Sequence, residues 1–528
     1  LLLLIVLSLA LGAIGLAYYY YTQWMSHFEK LGVKCDKPFP ILGNMGPVLF
    51  RRLQIAEHLQ KLYYKYSNLK YYGFYDFTNP VVVIRDPELI TSIAVKNFDS
   101  FVNHRNMIDE RLDPLMATNL FSLQGDHWRE VRRLLSPAFT SSKMKMMYGL
   151  ICDCAENFVE HVHRSCKGGK ETDLKEIVSR YTNDVVATCA FGISVDSMRD
   201  PNNDFYVLGR KALNFDSILS LKFMIGRNFP SLMKLLNIRM FSQHVTNFFT
   251  QIVENTVRVR DEKGIYRPDM IQLMMEARGN GNGGGLSIEE MTAQAFVFFF
   301  AGFDATASFI SFVLHVLGMH PEVQEKLRAE IEDILRENKG RPSYEVIHQM
   351  KYMDAVLNET HRFYPIATFL DRLCVKEFEL PPAEPGAEPV VLKPGDGVWF
   401  TPYPMHHDSQ YYSEPEKFDP ERFLHKQQID ASLFLPFGIG PRICIGNRFA
   451  IMESKILLFY LLANCTLKPS PKTTLDNKLN RANFQLMPRT GFWMNLKSRD
   501  QLWLPTNKET SGTTATNGHA NGKSVPVL

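Results

Sequence analysis

The sequence predicts a mainly α-helical protein with small β sheets, and three observations point there. From about residue 127 to 370 the apolar residues recur mainly at helical spacing. Runs with strand character are short and lie at 70–84 and 378–400. In the middle of the chain Ser287 and Glu290 form a capping box. The helix it opens runs to about Gly318, before His320-Pro321. At roughly 1.5 Å per residue it is about 48 Å long. Its middle is apolar on nearly every side, so it belongs in the core.

The elements follow in order. Leu1 to Ala17 are uncharged and almost wholly apolar, and Tyr18 to Tyr21 follow as an aromatic cluster. The run 1–21 is about long enough to cross a bilayer, and tyrosines at its end suit the headgroup region. It is expected to be a single transmembrane signal anchor. A cleaved signal peptide would have a shorter apolar stretch ending in small residues. Lys30, Lys34, Lys37, Arg51 and Arg52 follow the span. By the positive-inside rule they keep the bulk of the chain cytosolic. Residues 22–40 end in Lys37-Pro38-Phe39-Pro40 and are expected to be a proline-stiffened linker.

Residues 70–84 alternate and are aromatic and β-branched, which predicts a hairpin with Asn79-Pro80 as its turn. Asp86 and Pro87 are the cap and first turn of a helix. Segment 144–165 reads as an amphipathic helix. Its neighbouring Cys152, Cys154, His161, His163 and Cys166 are poor zinc ligands, because residues two apart do not share a helix face. The Gly-rich run 279–285 is a flexible loop with no strand before it, which argues against a phosphate cradle. Segment 378–400 reads as short strands around a Pro-rich turn, and 507–528 as a disordered Thr/Asn/Gly-rich tail. A length of 528 residues suggests about three domains. No linker separates packed units between 41 and 506, so that stretch is expected to be one domain.

The apolar fraction of 45% is ample for a large core. A net charge of +3 with no dense Lys/Arg stripe argues against nucleic acid as a main partner. The eight cysteines are scattered, which fits a reducing compartment and not a disulfide framework.

The chemistry centres on Phe437-Gly438-Ile439-Gly440-Pro441-Arg442-Ile443-Cys444-Ile445-Gly446. A cysteine here sits in a Gly-rich loop before the apolar helix 449–463. That arrangement suits a thiolate bound to haem iron, a ligand that favours O–O cleavage. Gly440 and Gly446 allow tight turns and leave room for a flat macrocycle. The following helix aims N–H groups and its positive dipole end near the sulfur, which eases ionisation. Arg442 suits a charge-assisted pair with a haem propionate. The plain alternative is a buried free thiol beside a turn.

The loop fits the Phe-x-x-Gly-x-Arg-x-Cys-x-Gly signature of the cytochrome P-450 superfamily at every fixed position. The chain resembles haem-thiolate monooxygenases of that superfamily over nearly its whole length. Segments 180–197 and 448–455 resemble insect microsomal members of the detoxifying group. The resemblance implies the cytochrome P-450 fold, with 41–506 as catalytic domain and haem b between the central helix and the cysteine helix. Cys444 is then the metal ligand, and Phe437, Gly438, Gly446 and Ala301 lie against the cofactor. Trp128 and Arg132 match the family's Trp-x-x-x-Arg, which stacks both side chains on one helix face toward a propionate. Arg372 stands where many relatives carry another propionate arginine, and His104 or Arg105 is a further candidate. Glu359 and Arg362 match Glu-x-x-Arg, and Arg422 of Pro420-Glu421-Arg422-Phe423 completes a structural ion pair that retains fold and haem.

The oxygen-activating site departs from the family pattern Ala-Gly-x-(Asp/Glu)-Thr. In Ala301-Gly302-Phe303-Asp304-Ala305-Thr306 the acid is present as Asp304, but Ala305 stands at the usual threonine. Thr306 is one residue on, turned about 100° round a regular helix. Asp304, Ala305 and Thr306 are the candidate catalytic positions. Three readings stay open: a water or substrate hydroxyl replaces the missing group, Thr306 takes over through a local helix distortion, or the chemistry is peroxide rearrangement that needs no proton relay.

The resemblance also implies pocket walls from the stretches that family members use, which here include Phe101, Met107, Met116, Leu120, Phe121, Phe296, Phe300, Ile366, Phe369 and Leu370, an apolar set suited to hydrophobic small molecules. Segment 218–236 is apolar with scattered cations and suits the membrane surface. No dinucleotide or flavin fingerprint is present. The implied electron source is therefore NADPH acting indirectly, through a membrane-bound reductase, with cytochrome b5 as a second donor. Arg129, Arg133, Lys143, Lys145 and Arg448 are the candidate docking cations. The activity implied is insertion of one oxygen atom from O2 into lipophilic molecules, either xenobiotics such as insecticides and plant compounds or endogenous lipids. It would take place at the cytosolic face of the endoplasmic reticulum. The alternatives are a haem-thiolate isomerase or dehydratase, and a non-catalytic haem protein.

Overall fold

A computed structural model describes residues 2–505 apart from 106, 107, 109, 214–216, 280–285, 339 and 425–429. The expected glycine loop at 280–285, the wall residue Met107 and the tail 507–528 lie outside the described residues.

Helices make up most of the fold, and the strands form three small sheets. The largest sheet runs in the order Tyr71–Asp76, Asn79–Ile84, Gly397–Phe400, Leu370–Leu373. The expected hairpin is there, with Tyr71 opposite Ile84 and Asp76 opposite Asn79. Its turn is Phe77-Thr78, not Asn79-Pro80. Phe77 takes the left-handed conformation that closes it, at φ 56°. Pro80 instead sits near the start of the return strand, a position that tolerates a missing N–H. The Leu370–Leu373 strand pairs antiparallel with Gly397–Phe400 and sets Arg372 opposite Val398.

The N-terminal helix spans Leu2–Met25, past the expected end of the span. Residues 22–40 are not a free linker, because aromatic side chains dock them on the sheet. The Trp24 ring lies 4.6 Å from that of Tyr75, whose hydroxyl donates to the Trp24 carbonyl at 3.0 Å. Phe28 is buried over Gly73, where a Cβ would come within 2.7 Å of its ring. Burial of Trp24, Phe28 and Val33 against the sheet opposes the entropy of a free tether.

The central helix begins with the expected capping box, Ser287 accepting from the Glu290 amide and Glu290 from the Ser287 amide. It runs as Ile288–Phe300, a π turn over Ala301–Ala305, and Thr306–Met319. The π turn has identifiable partners. The Phe303 carbonyl accepts from the Thr182 hydroxyl at 2.9 Å, and the Asp304 carbonyl from Lys175 Nζ at 2.8 Å. Side chains inserting at a helix backbone are a known cause of such irregularity. The helix is long and apolar enough to span a membrane, but it is mostly buried in the core.

The cysteine helix, Asn447–Asn464, packs against Ser141–Ser165, the amphipathic helix expected around 144–165. Cys152 and Cys166 on that side are buried in the core. Among the described residues no group of three His, Cys, Asp or Glu side chains could hold a metal. The two largest apolar clusters among the described residues lie around the cysteine helix with the far half of the central helix, and around Phe249, Phe296 and Phe299; two smaller ones flank the largest sheet.

Candidate active site: the cavity at Cys444

A cavity of about 400 Å³ lies between the central helix and the loop that precedes the cysteine helix. Cys444 is the one exposed cysteine among eight free ones. It also lines the cavity, and burial raises its thiol pKa against the Gly446 N–H and Arg132. The sulfur is therefore open to the interior space, not to bulk water. Gly446 N-caps the helix, so the sulfur sits beside amides that favour an anion. The Cys444 amide donates to the Phe437 carbonyl at 2.9 Å and closes the loop.

Trp128, Arg132, Arg372 and Arg442 lie together on the cavity wall. Helix Gly125–Leu135 supplies Trp128 and Arg132 one turn apart. The Arg442 guanidinium lies over the Trp128 ring at 4.0 Å and donates to the Val102 and Leu123 carbonyls at 2.9 and 2.8 Å. Burial first, and then Arg372, push its pKa down to about 9. Arg372 donates to the Asp371 and Ile439 carbonyls, and its Nε has no partner among the described residues. Asp371 is the carboxylate that acts on Arg372 and Arg442. It is already held by His104 Nδ1 at 3.1 Å and the Arg105 amide at 2.9 Å. Burial opposes its ionisation, but His104 and Arg227 keep it far below the usual carboxylate range.

The rest of the lining is mainly apolar, with His104, Thr306 and His361 as its polar members. On the central helix it follows two rows at a spacing of four: Val297, Ala301, Ala305, Phe309, and Phe298, Gly302, Thr306. Ala305 and Thr306 thus both face the cavity, and the π turn lies directly before Thr306.

A cytochrome P450 family model matches residues 33–494. Cytochrome P450 9e2 of Blattella germanica is 44% identical over 524 residues, covering 93% of this chain and 98% of its own length. Probable cytochrome P450 9f2 of Drosophila melanogaster is 36% identical over 515 residues, covering 93% and 99%. Cytochrome P450 9c1 of the same species is 38% identical over 515 residues, covering 93% and 98%. The chain belongs to the cytochrome P450 family, a family of monooxygenases.

That family implies haem, and the cavity residues of this P450 fit it. A thiol beside the Gly446 N–H and Arg132 lines the space, and three arginines with too few carboxylates stand with it. Phe437, Gly438, Gly446 and Ala301 line the cavity as expected. Glu359, Arg362 and Arg422 meet outside it. Arg362 donates to both Glu359 oxygens at 2.8 Å, and Arg422 reaches the same carboxylate at 3.1 Å.

Other expected positions lie elsewhere. Arg105 is turned away from the cavity, because its amide is taken by Asp371 and its guanidinium by Asp76 at 3.8 Å; His104 lines the wall instead. Phe296, Phe300 and Asp304 share one cause: they form their own row at a spacing of four, one position off the cavity rows. Phe296 is core between Phe241 and Phe249, and Phe300 lies toward Phe223 at 6.4 Å. The Asp304 carboxylate pairs with Lys175 at 2.9 Å and accepts from Gln485 at 2.6 Å, facing a separate polar cavity of about 240 Å³. Phe369 stacks on Trp399 at 4.1 Å, while its neighbours Ile366 and Leu370 line the cavity. Phe101 packs on Phe378, and Met116 is core; Leu120 and Phe121 do line the wall. Sequence reasoning missed Val297, Phe298, Phe309 and His361. The first three were recoverable by counting in fours from Ala301 and Gly302.

Proposed function

We propose that this P450 is a microsomal haem-thiolate monooxygenase that inserts one oxygen atom from O2 into lipophilic small molecules. Its electrons come from NADPH through a membrane-bound reductase. The observation that carries this reading is the convergence of Cys444 and three under-neutralised arginines on a mainly apolar cavity. Haem bound there supplies reductive activation of O2. Cys444 holds its iron, and the Gly446 N–H steadies the anionic sulfur. Arg132, Arg372 and Arg442 neutralise its carboxylates. Ala301 and Gly302 keep the helix surface low beside the reacting centre. Val297, Phe298, Ile366 and Leu370 exclude water and orient an apolar substrate.

Proton supply divides across the central helix. Thr306 lines the cavity, while Asp304 pairs with Lys175 at the polar cavity behind it. The π turn between these faces supports the reading in which Thr306 serves in place of the residue replaced by Ala305.

Residues 1–21 anchor the chain in the endoplasmic reticulum, with 41–506 facing the cytosol. Exposed Leu221, Leu232, Leu235 and Leu236 support contact of segment 218–236 with the bilayer and a lateral entrance for lipophilic substrates. For the reductase, Arg133 and Arg448 are the favoured contacts. Both are exposed, whereas Arg129 and Lys145 already pair with Asp99 and Glu345. Substrates are xenobiotics or endogenous lipids of low polarity. A panel of such compounds, incubated with reductase, NADPH and O2, should yield products one oxygen heavier. Ala305 favours one other reading, a rearrangement of hydroperoxides. Turnover of a hydroperoxide with none under reductase, NADPH and O2 would select it.

A further inference from the structure

Helix Lys351–Phe363 carries Glu359 and Arg362, and between them a residue that their ion network does not use. His361 is 3% exposed. Its ring lies flat on Phe309 of the central helix, with centroids 3.7 Å apart and planes 9° from parallel. It stands edge-on to Phe437 of the cysteine loop at 4.9 Å. It also lines the cavity. Neither ring nitrogen has a hydrogen-bond partner among the described residues. Burial pushes its pKa down to about 3 and nothing offsets that, so the ring is neutral.

A neutral imidazole has one donor and one acceptor nitrogen. Native interiors rarely leave such groups unpaired. Phe309 covers one face of the ring and Phe437 meets it at an angle, so a partner has to come from what fills the cavity. The haem carboxylates are not that partner. Arg372, one of the arginines suited to them, stands by His104 and Asp371, whereas His361 is packed on Phe309 and Phe437 with no arginine bonded to it. The remaining rim of a porphyrin is hydrocarbon, which leaves water.

We propose that His361 is a positioning residue of the haem site, its ring nitrogen holding a water molecule sealed in beside the bound cofactor. So fixed, the ring steadies Phe437, whose carbonyl accepts from the Cys444 amide at 2.9 Å. The inference rests on the haem reading above.

The test uses the full chain in detergent, comparing His361→Leu and His361→Gln with the parent protein. Leucine removes both nitrogens; glutamine keeps a neutral donor and acceptor. In the apoprotein His361→Leu should resist urea at least as well as the parent, since it removes an unpaired polar group. With haem bound it should release haem to apomyoglobin about 10–100-fold faster, the range for loss of a group supporting a metal ligand. Its ferric Soret band should also shift. His361→Gln should restore both the release rate and the Soret band toward the parent. Unchanged haem release and an unchanged Soret band in His361→Leu would overturn the proposal. Equal destabilisation of apo and haem-bound forms would do the same, since that marks a packing role. A parent protein that takes up no haem would bring down the haem reading itself, and this inference with it.

Discussion

Two groups of buried and half-buried arginines in this P450 are neutralised to different degrees. Arg362 and Arg422 share Glu359, and the Asp419 amide and the His406 carbonyl complete the set. That network is closed within the protein. Arg132, Arg372 and Arg442 crowd the wall of the cavity near a single carboxylate, Asp371, which His104 and the Arg105 amide already hold. Burial and mutual repulsion disfavour the charged form of Arg442. A closed network holds a fold; an open one is a site whose missing charge arrives with a ligand.

Substitutions can break or sharpen that contrast. The largest effect is expected at the closed group. Glu359→Gln strands Arg362 without its anion and should cost about 3–5 kcal/mol in urea unfolding of the detergent-extracted protein. A loss below about 1 kcal/mol, the range of exposed pairs, would remove the distinction. At the open group the stability effect should vanish or reverse. Arg372→Ala should leave the apoprotein as stable as before, while haem release quickens by the equivalent of about 1.5–3 kcal/mol, one charge-assisted hydrogen bond. Equal losses in the apo and haem-bound forms would place Arg372 with the closed group. Arg422→Ala should cost less than Glu359→Gln, about 1–2 kcal/mol, because Arg362 keeps its carboxylate.

The smallest effect tests the same contrast across the central helix. Asp304 is closed off by Lys175 and Gln485, while Thr306 faces the cavity. Ala305→Thr adds a second hydroxyl on the cavity side and should raise the product formed per NADPH consumed. Thr306→Ala should lower it. Equal coupling in both variants would detach these positions from proton delivery.

The closed features were the more legible in the sequence. The capping box, the Asp86 cap and the order of the motifs rest on local chemistry that spacing reveals, and the structure has them in place. The hairpin turn falls two residues before Asn79-Pro80; that pair carries a stronger turn signal than Phe77-Thr78, yet Pro80 fits the start of a strand. Cavity-facing residues were harder to read, because 295–303 is apolar on all sides and composition does not say which row looks inward. Phe296, Phe300 and Asp304 share one row that turns away from the cavity, whereas the rows of Ala301, Ala305 and of Gly302, Thr306 face it. Arg105 and His104 were inseparable in the sequence; Asp76 and Asp371, distant in the chain, draw them apart. His361 carried no signal, since its environment is assembled from the central helix and the cysteine loop.

The central claim is that the Cys444 sulfur holds haem iron, and absorbance tests it most directly. Purified protein grown with excess hemin should show a Soret band, and after reduction with carbon monoxide the long-wavelength band of thiolate-ligated haem. Cys444→Ser should lose that long-wavelength band. Survival of the band in the variant, or no Soret absorbance in the parent protein, would contradict it.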